Sequence, residues 1–404
     1  MPDAPAHTGP LAGLKVVELG QLIAGPFAAK TLADFGADVI KVEPPNGDPY
    51  RGYRPGPDAR RTTNVAFAAD NRGKRAITLS LDQPGARDVL YRLVADADVF
   101  VTNLLPRRRE RYGLTYDDLI HHRPDLIFVS VTGYGSDGPD RDRAGYDYAA
   151  FWARTGIMGL FGEPGTPPPP QRPGMGDHTT AMLIAGSVAM ALLDRHRSGE
   201  GQTIDVSLHN TGLWVLASDI NSALRGNEPA RVDRSTVPNP LWNNYRTKDG
   251  RWIMLVMLVS DMYWPQFCRA IEREDLEHDP RFARFDNRNE NREALIALLD
   301  ERFAERTLEE WAPALDRHSL IWAPAKTLEE VIADPQTRAR GAFTKIEHPD
   351  AGEIEVVDTP VKFGRSTVGA RGAAPELGQH TEQVLIDAGY SWDDITALRD
   401  AGTI

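Results

Sequence analysis

Short apolar runs alternate with helix-like segments through the first 132 residues, and that alternation restricts the fold more than any single motif. Lys15 to Leu19 (KVVEL) and Asp38 to Glu43 (DVIKVE) are rich in β-branched residues and read as strands. Between them a loop, Gln21 to Pro26, leads into a helix over Phe27 to Phe35, closed by Gly36. Strand, loop, helix and strand within about 30 residues make a βαβ unit. The pattern repeats with a strand at Ala76 to Leu81, a helix at Gly85 to Ala95, a strand at Val99 to Asn103 and a helix at Thr115 to His122. Leu126 to Thr132 (LIFVSVT) is apolar enough to be buried on both faces. The expectation is an α/β fold with a doubly wound parallel sheet. Ligands of such sheets bind beyond the carboxyl ends of the strands, which singles out the loops after Leu19, Leu81, Val101 and Thr132.

Further along, Met182 to Arg195 and His209 to Leu224 read as helices flanking a strand at Thr203 to Leu208. The arginine-, asparagine- and proline-rich stretch 225–240 reads as a linker. A hairpin signal (Asn244 to Arg246 and Arg251 to Leu258) and helices at Met262 to Glu272, Arg292 to Glu305 and Thr307 to Arg317 suggest a smaller α+β domain. The tail holds a helix at Leu328 to Ala333 and an antiparallel pair, Phe343 to Glu347 with Glu353 to Val357, around Asp350-Ala351-Gly352. A last helix is expected at His380 to Asp387.

Several functions fall away on composition. A net charge of -12 argues against a nucleic-acid surface. The single cysteine, Cys268, leaves no intrachain disulfide and no cysteine-built zinc site, and its apolar neighbours suit a buried, inert thiol. No apolar run reaches the roughly 18 residues of a membrane helix. Met1 to Pro10 is proline-rich and acidic, unlike a signal peptide, so a cytoplasmic protein is expected. There is no Walker-type phosphate loop, and Gln21 to Pro26 supplies one glycine where a dinucleotide fingerprint needs three, which disfavours a nicotinamide enzyme. The segment Pro44 to Arg75 carries Arg51, Arg54, Arg60, Arg61, Arg72, Lys74 and Arg75, a basic loop that invites an anionic ligand. Asp177, in Gly174-Met175-Gly176-Asp177-His178, arrives where a helix begins. It reads either as an N-cap or as a carboxylate kept charged by the helix terminus and able to act as a nucleophile.

The chain resembles the family III CoA transferases, a group that includes formyl-CoA transferase, carnitine-CoA transferases and α-methylacyl-CoA racemase. The residues that carry the likeness are Leu11 to Leu19 (LAGLKVVEL), Ala24-Gly25-Pro26, Leu32 to Glu43 (LADFGADVIKVE) and Asn71 to Arg75 (NRGKR). Ala97 to Asn103 (ADVFVTN), Gly133-Tyr134-Gly135, Gly176-Asp177 and Ser198 to Gln202 (SGEGQ) continue it, dense over residues 10–215 and looser beyond. The resemblance implies a Rossmann-like large domain built from both chain ends, 1–224 and 326–404. It also implies a small domain at 225–325, and a homodimer of two interlocked rings with the active site between the large domain of one subunit and the small domain of the other.

The resemblance further implies that Asp177 is the nucleophile. It attacks an acyl-CoA thioester to give a mixed anhydride, and the released thiolate returns to make an aspartyl-CoA thioester that an incoming carboxylate consumes. Backbone N–H groups near Gly174 to Gly176 are expected to hold the oxyanion. Asp147 falls where the transferases carry a second active-site acid. Leu22, Ile23, Ala24, Asn103, Leu104 and Arg111 match CoA contacts, and Leu79 matches one on the adenine side. Ile23 replaces a glutamine that holds the reacting group in formyl-CoA transferase. The family's phosphate-binding arginine and lysine fall at Pro44 and Asp82, so Arg72, Lys74, Arg75 or Arg107 to Arg109 are expected in their place. Tyr146, Tyr148, Gly176 and His178, with Trp152 and a partner subunit's Trp242 or Tyr245, are expected at the acyl pocket. The glycine-rich lid of formyl-CoA transferase has no counterpart at residues 240–260, so formyl-CoA and oxalate are not the expected pair. CoA enters as a substrate, with no permanent cofactor and no metal.

The alternative is a 2-methylacyl-CoA racemase, whose histidine base sits in Ala-Gly-His-Asp; here the tetrapeptide is Ala144-Gly145-Tyr146-Asp147. A tyrosine of ordinary pKa is a poor base at neutral pH. His178 is the remaining candidate base, although a first-turn ring turned to solvent is the plainer expectation. A non-catalytic CoA-binding protein is a further alternative, which the retained Gly176-Asp177 pair disfavours.

Overall fold

The computed structural model describes residues 9–53, 64–349 and 351–404. Residues 1–8, Arg54, Arg60 and Arg61 of the basic stretch, and Asp350 of the hairpin turn lie outside them. The chain divides into two compact units: Met1–Ile157, Pro170–Arg225 and Arg338–Ile404 form one, Met158–Pro169 and Gly226–Thr337 the other.

The larger unit is built on six strands: β1 (Lys15–Leu19), β2 (Asp38–Glu43), β3 (Arg75–Thr78), β4 (Val99–Thr102), β5 (Ile127–Thr132) and β6 (Gln202–Ser207). They pair in the order β3-β2-β1-β4-β5-β6, every neighbour parallel. This is the doubly wound arrangement the alternation predicts, and the order reverses between β1 and β4. β5 is buried along its whole length, as its unbroken apolar run requires. Val17, Ile77, Phe100 and Phe128 meet in one core with Val384, Leu385 and Ile395 from the C-terminal helices Thr381–Asp387 and Trp392–Asp400. The second of these helices, opened by a Ser391–Asp394 capping box, is not among the sequence expectations. Phe343–His348 and Gly352–Val357 pair antiparallel, as expected.

The smaller unit has a three-stranded antiparallel sheet: β7 (Asn244–Arg246), β8 (Trp252–Leu255) and β9 (Trp322–Pro324). Trp264, Phe267, Phe303 and Trp311 fill its core. Cys268 lies there too, where burial pushes the thiol up to about 12 and keeps it unreactive.

Several elements differ from expectation. The helix expected from Met182 runs from Met175 to Ser198, because Gly174 (φ 78°) breaks the chain about two turns earlier than the apolar pattern shows. Asp177 is therefore the third helical residue and not the N-cap. The helix expected over His209 to Leu224 is two, Leu208–Val215 and Ala217–Ala223, parted at Leu216. Pro106–Tyr112 is an additional helix, with Pro106 at its first position.

Beneath the carboxyl end of β1 lies a cluster of fully buried charges. Lys41 Nζ lies 3.0 Å from each of Glu18 Oε1, the Gly20 carbonyl and Asp48 Oδ2. Lys74 Nζ donates to Glu18 Oε2 (2.7 Å), the Pro26 carbonyl (2.8 Å) and Asn71 Oδ1 (2.8 Å). Burial works against the charge on Lys41, but Glu18 and Asp48 outweigh it and hold the ammonium above its usual range. At Lys74 burial wins and pulls the pKa down to about 8. Asp48 Oδ1 accepts the N–H groups of Leu22 (3.0 Å) and Tyr50 (2.9 Å), so the cluster also shapes the loop after β1. Leu22 sits there at φ 65°, a left-handed conformation that a side chain disfavours.

Removing one member of such a cluster leaves charges buried without partners, at a cost of roughly 3–5 kcal/mol. Lys41→Ala is expected to lose about that much in denaturant unfolding, whereas Lys15→Ala, at an exposed pair with Asp96, loses under about 1 kcal/mol. Equal losses would show that the buried cluster does not hold this region.

Candidate active site

A cavity of about 740 Å³ opens at the switch point of the sheet. Its floor is the loop after β1 (Gln21 to Ala24), the loop after β4 (Asn103 to Leu105) and the end of β5 (Thr132, Gly133). The loop after Leu81 contributes nothing to its wall. Asn103 staples the first two loops: its Oδ1 accepts the Gln21 N–H at 3.0 Å and its Nδ2 donates to the Gln21 carbonyl at 2.6 Å. Thr102 Oγ1 adds a bond to the Leu19 carbonyl.

Asp177 is 9% exposed and faces this cavity from the first turn of the Met175–Ser198 helix. The helix terminus favours the charged form, but burial and the neighbouring acids prevail. Burial first, then the Asp147 charge and that of Asp70, against an opposing contribution from His178, push the carboxyl up to about 7. The expectation of a carboxylate held simply ionised by the helix is corrected accordingly.

Asp147 precedes a wide, π-type helical turn, Tyr148–Ala153, which sets it under the start of the Asp177 helix. Its Oδ2 accepts the Gly176 N–H at 3.4 Å. This N–H is therefore engaged, which removes it from the oxyanion role expected of Gly174 to Gly176. A Cβ at position 176 would collide with Asp147 Oδ1 and the Phe151 ring, so the approach of the two acids demands glycine there. Burial is also the main reason the Asp147 carboxyl lies above its usual range.

His178 departs from expectation. Its ring stacks on Phe27, with centroids 4.1 Å apart, and Nε2 lies 3.3 Å from Asp70 Oδ1. It is half-exposed but not part of the cavity wall. Asp70 is buried at the end of the Val65–Asn71 helix, where its charge acts on the Tyr50 phenol. Burial and the neighbouring acids push the Tyr50 phenol well up, so it keeps its proton.

Of the residues singled out from sequence, Leu22, Ile23, Ala24, Asn103, Leu104, Tyr146, Tyr148, Asp147 and Asp177 converge on the cavity. Gly176 lies directly beneath, between the two acids. Others do not converge. Arg72 is buried against Asp34 (2.9 Å) and the Val357 carbonyl, and Lys74 belongs to the internal cluster. Arg75 pairs with Asp38 and Asp387, Leu79 is core, and Arg111 pairs with Asp82 at the surface (2.7 Å). The cations in the described cavity wall are Arg107 and Arg108, both exposed. Trp152 is buried outside the lining, Tyr245 lies in the core of the smaller unit, and Trp242 is exposed. Tyr50, Gln21 and Asp70 were missed; the Asp48-Pro49 step before Tyr50, which opens a helical turn, was the available signal. Among the described residues no group of three or more His, Cys, Asp or Glu side chains is placed to hold a metal ion, and no helix is long and apolar enough to cross a membrane.

Residues 11–381 match the profile of CoA-transferase family III. The chain is 34% identical to (R)-2-hydroxy-4-methylpentanoate CoA-transferase of Clostridioides difficile, covering 98% of this chain and 99% of that one. It is 32% identical to cinnamoyl-CoA:phenyllactate CoA-transferase of Clostridium sporogenes, covering 97% and 96%. The crystal structure of a CAIB/BAIF family protein from Brucella suis superimposes with a TM-score of 0.83 at 33% identity, covering 95% of this chain and all of that one.

The carboxyl cluster makes a direct prediction. In ¹³C NMR of aspartate-labelled protein, assigned through Asp177→Asn, the Asp177 carboxyl is expected to titrate near 7. In Asp147→Asn the midpoint moves down, because a neighbouring negative charge is gone. A midpoint near 4 in both proteins would contradict this electrostatic picture.

Proposed function

This chain belongs to CoA-transferase family III and is a CoA transferase, and from that premise we propose that Asp177 carries CoA between an acyl-CoA and a free carboxylic acid. The observation that carries the reading is the Asp177 carboxyl, buried in the wall of a cavity built by the loops after β1 and β4.

The ionised carboxylate attacks the thioester carbonyl, the C–S bond breaks, and a mixed anhydride and CoA thiolate result. The thiolate attacks the aspartyl carbonyl of the anhydride, releasing the donor acid and leaving an aspartyl-CoA thioester. An incoming carboxylate attacks that thioester to form a second anhydride, and the thiolate takes the new acyl group and restores Asp177. Each step exchanges one acyl bond for another, so no external energy is needed. The chain's task is to keep water from the anhydride and to hold the carboxyl where attack is possible. A carboxyl titrating near neutrality is a stronger nucleophile than an ordinary aspartate while remaining substantially charged. Arg107 and Arg108 are positioned to meet the CoA phosphates, in place of the buried Arg72 and Lys74. The cavity wall offers Ile23, Leu104, Val131 and Leu208 to an apolar acyl chain. The relatives' printed substrates differ from one another, so no particular acid is carried over.

The same reading makes the working unit an interlocked homodimer. Met182, Leu183, Met190 and Leu193 on the Asp177 helix are 43–66% exposed, apolar surface suited to a second copy. Light scattering is expected to give the mass of two 44.6 kDa chains, and a monomer at micromolar concentration would contradict it.

Asp177→Ala is expected to lower CoA exchange by several orders of magnitude. The charged form is the nucleophile, so kcat/KM in the wild type rises with pH through about 7. A (2R)-methylacyl-CoA incubated in deuterated water should keep its C2 proton and configuration. Deuterium at C2 with loss of chirality would establish the racemase instead. Tyr146 occupies the position of the racemase base, and His178 faces Asp70, not the cavity.

A further inference from the structure

Among the described residues, the buried acids Glu18, Asp34, Glu43 and Asp48 each meet a lysine or arginine at ion-pair distance. The buried acids Asp70, Asp147 and Asp177 meet none. The charges of Asp70 and Asp147 both act on Asp177, so the three form one cluster beside the cavity. Buried carboxylates without a counter-charge are costly.

One group that can become a cation is built into this cluster. His178 follows Asp177 in the first turn of the Met175–Ser198 helix. Its ring folds back over Gly174, where a Cβ would lie 3.4 Å from both Cε1 and Nε2. The ring stacks on Phe27 (centroids 4.1 Å apart) and sets Nε2 3.3 Å from Oδ1 of Asp70, whose side chain is 3% exposed. Nε2 is sealed from solvent, yet it lies off the line of a hydrogen bond. A neutral ring gains little from Asp70 in that pose, whereas an imidazolium gains the attraction of a buried charge at short range. The other cations near the ring are committed elsewhere. Lys30, 4.7 Å from the centre of the Phe27 ring, pairs with Asp34 at 2.7 Å, and Lys74 is bound to Glu18. Tyr50 keeps its proton and adds no charge.

We propose that His178, held as an imidazolium between Phe27 and Asp70, is the counter-charge of this acid cluster and sets the pH at which Asp177 becomes a nucleophile. His178 lies outside the cavity wall and acts through Asp177, which makes it a positioning residue. Asp70 holds the ring charged, and the ring in turn cancels the Asp70 charge before it reaches Asp177. The consequence for rate rests on the CoA-transfer reading of the site; the titration does not.

The test compares four full-length proteins: wild type, His178→Gln, His178→Arg, and His178→Gln combined with Asp70→Asn. ¹³C NMR of aspartate-labelled protein reads the Asp177 midpoint, and kcat/KM for CoA exchange is followed across pH. In His178→Gln the midpoint is expected to rise by roughly one unit, because a cation that favoured the charged form is gone. kcat/KM then falls by roughly tenfold near pH 6 and by less than about twofold near pH 9, following the ionised fraction. A guanidinium also stacks on aromatic rings and pairs with carboxylates, so His178→Arg keeps the wild-type midpoint. Adding Asp70→Asn to His178→Gln brings the midpoint back down, because a like charge is withdrawn.

An Asp177 midpoint unmoved in His178→Gln, with kcat/KM lowered equally at every pH, marks a merely structural histidine and overturns the proposal. An equal rise in the glutamine and arginine variants overturns it too, since shape and not charge would then matter. ¹⁵N NMR of the histidine rings needs no substitution: both nitrogens of His178 are expected to carry protons near pH 7 in the wild type, and a neutral ring there overturns the proposal. Titrations as described, in a protein that neither exchanges CoA nor carries it on Asp177, uphold the charge assignment and overturn the CoA-transfer reading alone.

Discussion

A buried ammonium, Lys41, is what the active half of this protein is fastened to. It reaches from β2 to Glu18 on β1, to the carbonyl of Gly20 just beyond β1, and to Asp48 in the following loop. Charges this deeply buried are tolerable only when every partner is present, so the cluster forms whole or not at all. Asp48 passes the constraint outward. One of its oxygens holds the N–H groups of both Leu22 and Tyr50, and so fixes a floor residue and a wall residue of the cavity together. The left-handed Leu22 is sustained by this arrangement.

A second balance is set on top of the first. A helix start would by itself keep Asp177 ionised, yet burial and the nearby acids lift it into the neutral range. Asp147 comes so close only because position 176 has no side chain. The result is a carboxyl that is dry and reluctant to stay charged. Such a group gains by giving its charge up to a covalent bond, which is what acyl exchange through an anhydride asks of it.

The sheet was legible in the sequence because parallel strands buried on both faces read as unbroken β-branched runs, as in DVIKVE and LIFVSVT. The Trp392–Asp400 helix escaped because its exposed face is polar and only Ile395 is buried. The start of the Asp177 helix was misplaced because Met175-Gly176 carries no helical periodicity, and Gly174, not Asp177, makes the break. The loops that form the cavity were found through the rule for doubly wound sheets and through resemblance. The basic residues were not, for a physical reason: Arg72 and Lys74 find Asp34 and Glu18 across separations of 38 and 56 residues, and no local pattern announces a partner that far away. Tyr50 and Asp70 were hidden for the same reason, since each is ordinary in its own segment and notable only beside the other.

The central claim is that the oxygens of Asp177 take part in the bonds that are exchanged. Turnover in ordinary water with an ¹⁸O-labelled carboxylic acid, followed by digestion and mass spectrometry, reads this directly. When CoA thiolate opens the second anhydride at the acyl carbon, the bridging oxygen, which came from the acid, remains on the aspartate. The peptide that contains Asp177 should therefore gain one ¹⁸O in the first turnover, seen as 2 mass units, rising toward two as turnovers accumulate, and no other acidic peptide should. Full conversion of the labelled acid to its CoA ester with that peptide unlabelled would mean that Asp177 never formed the anhydride.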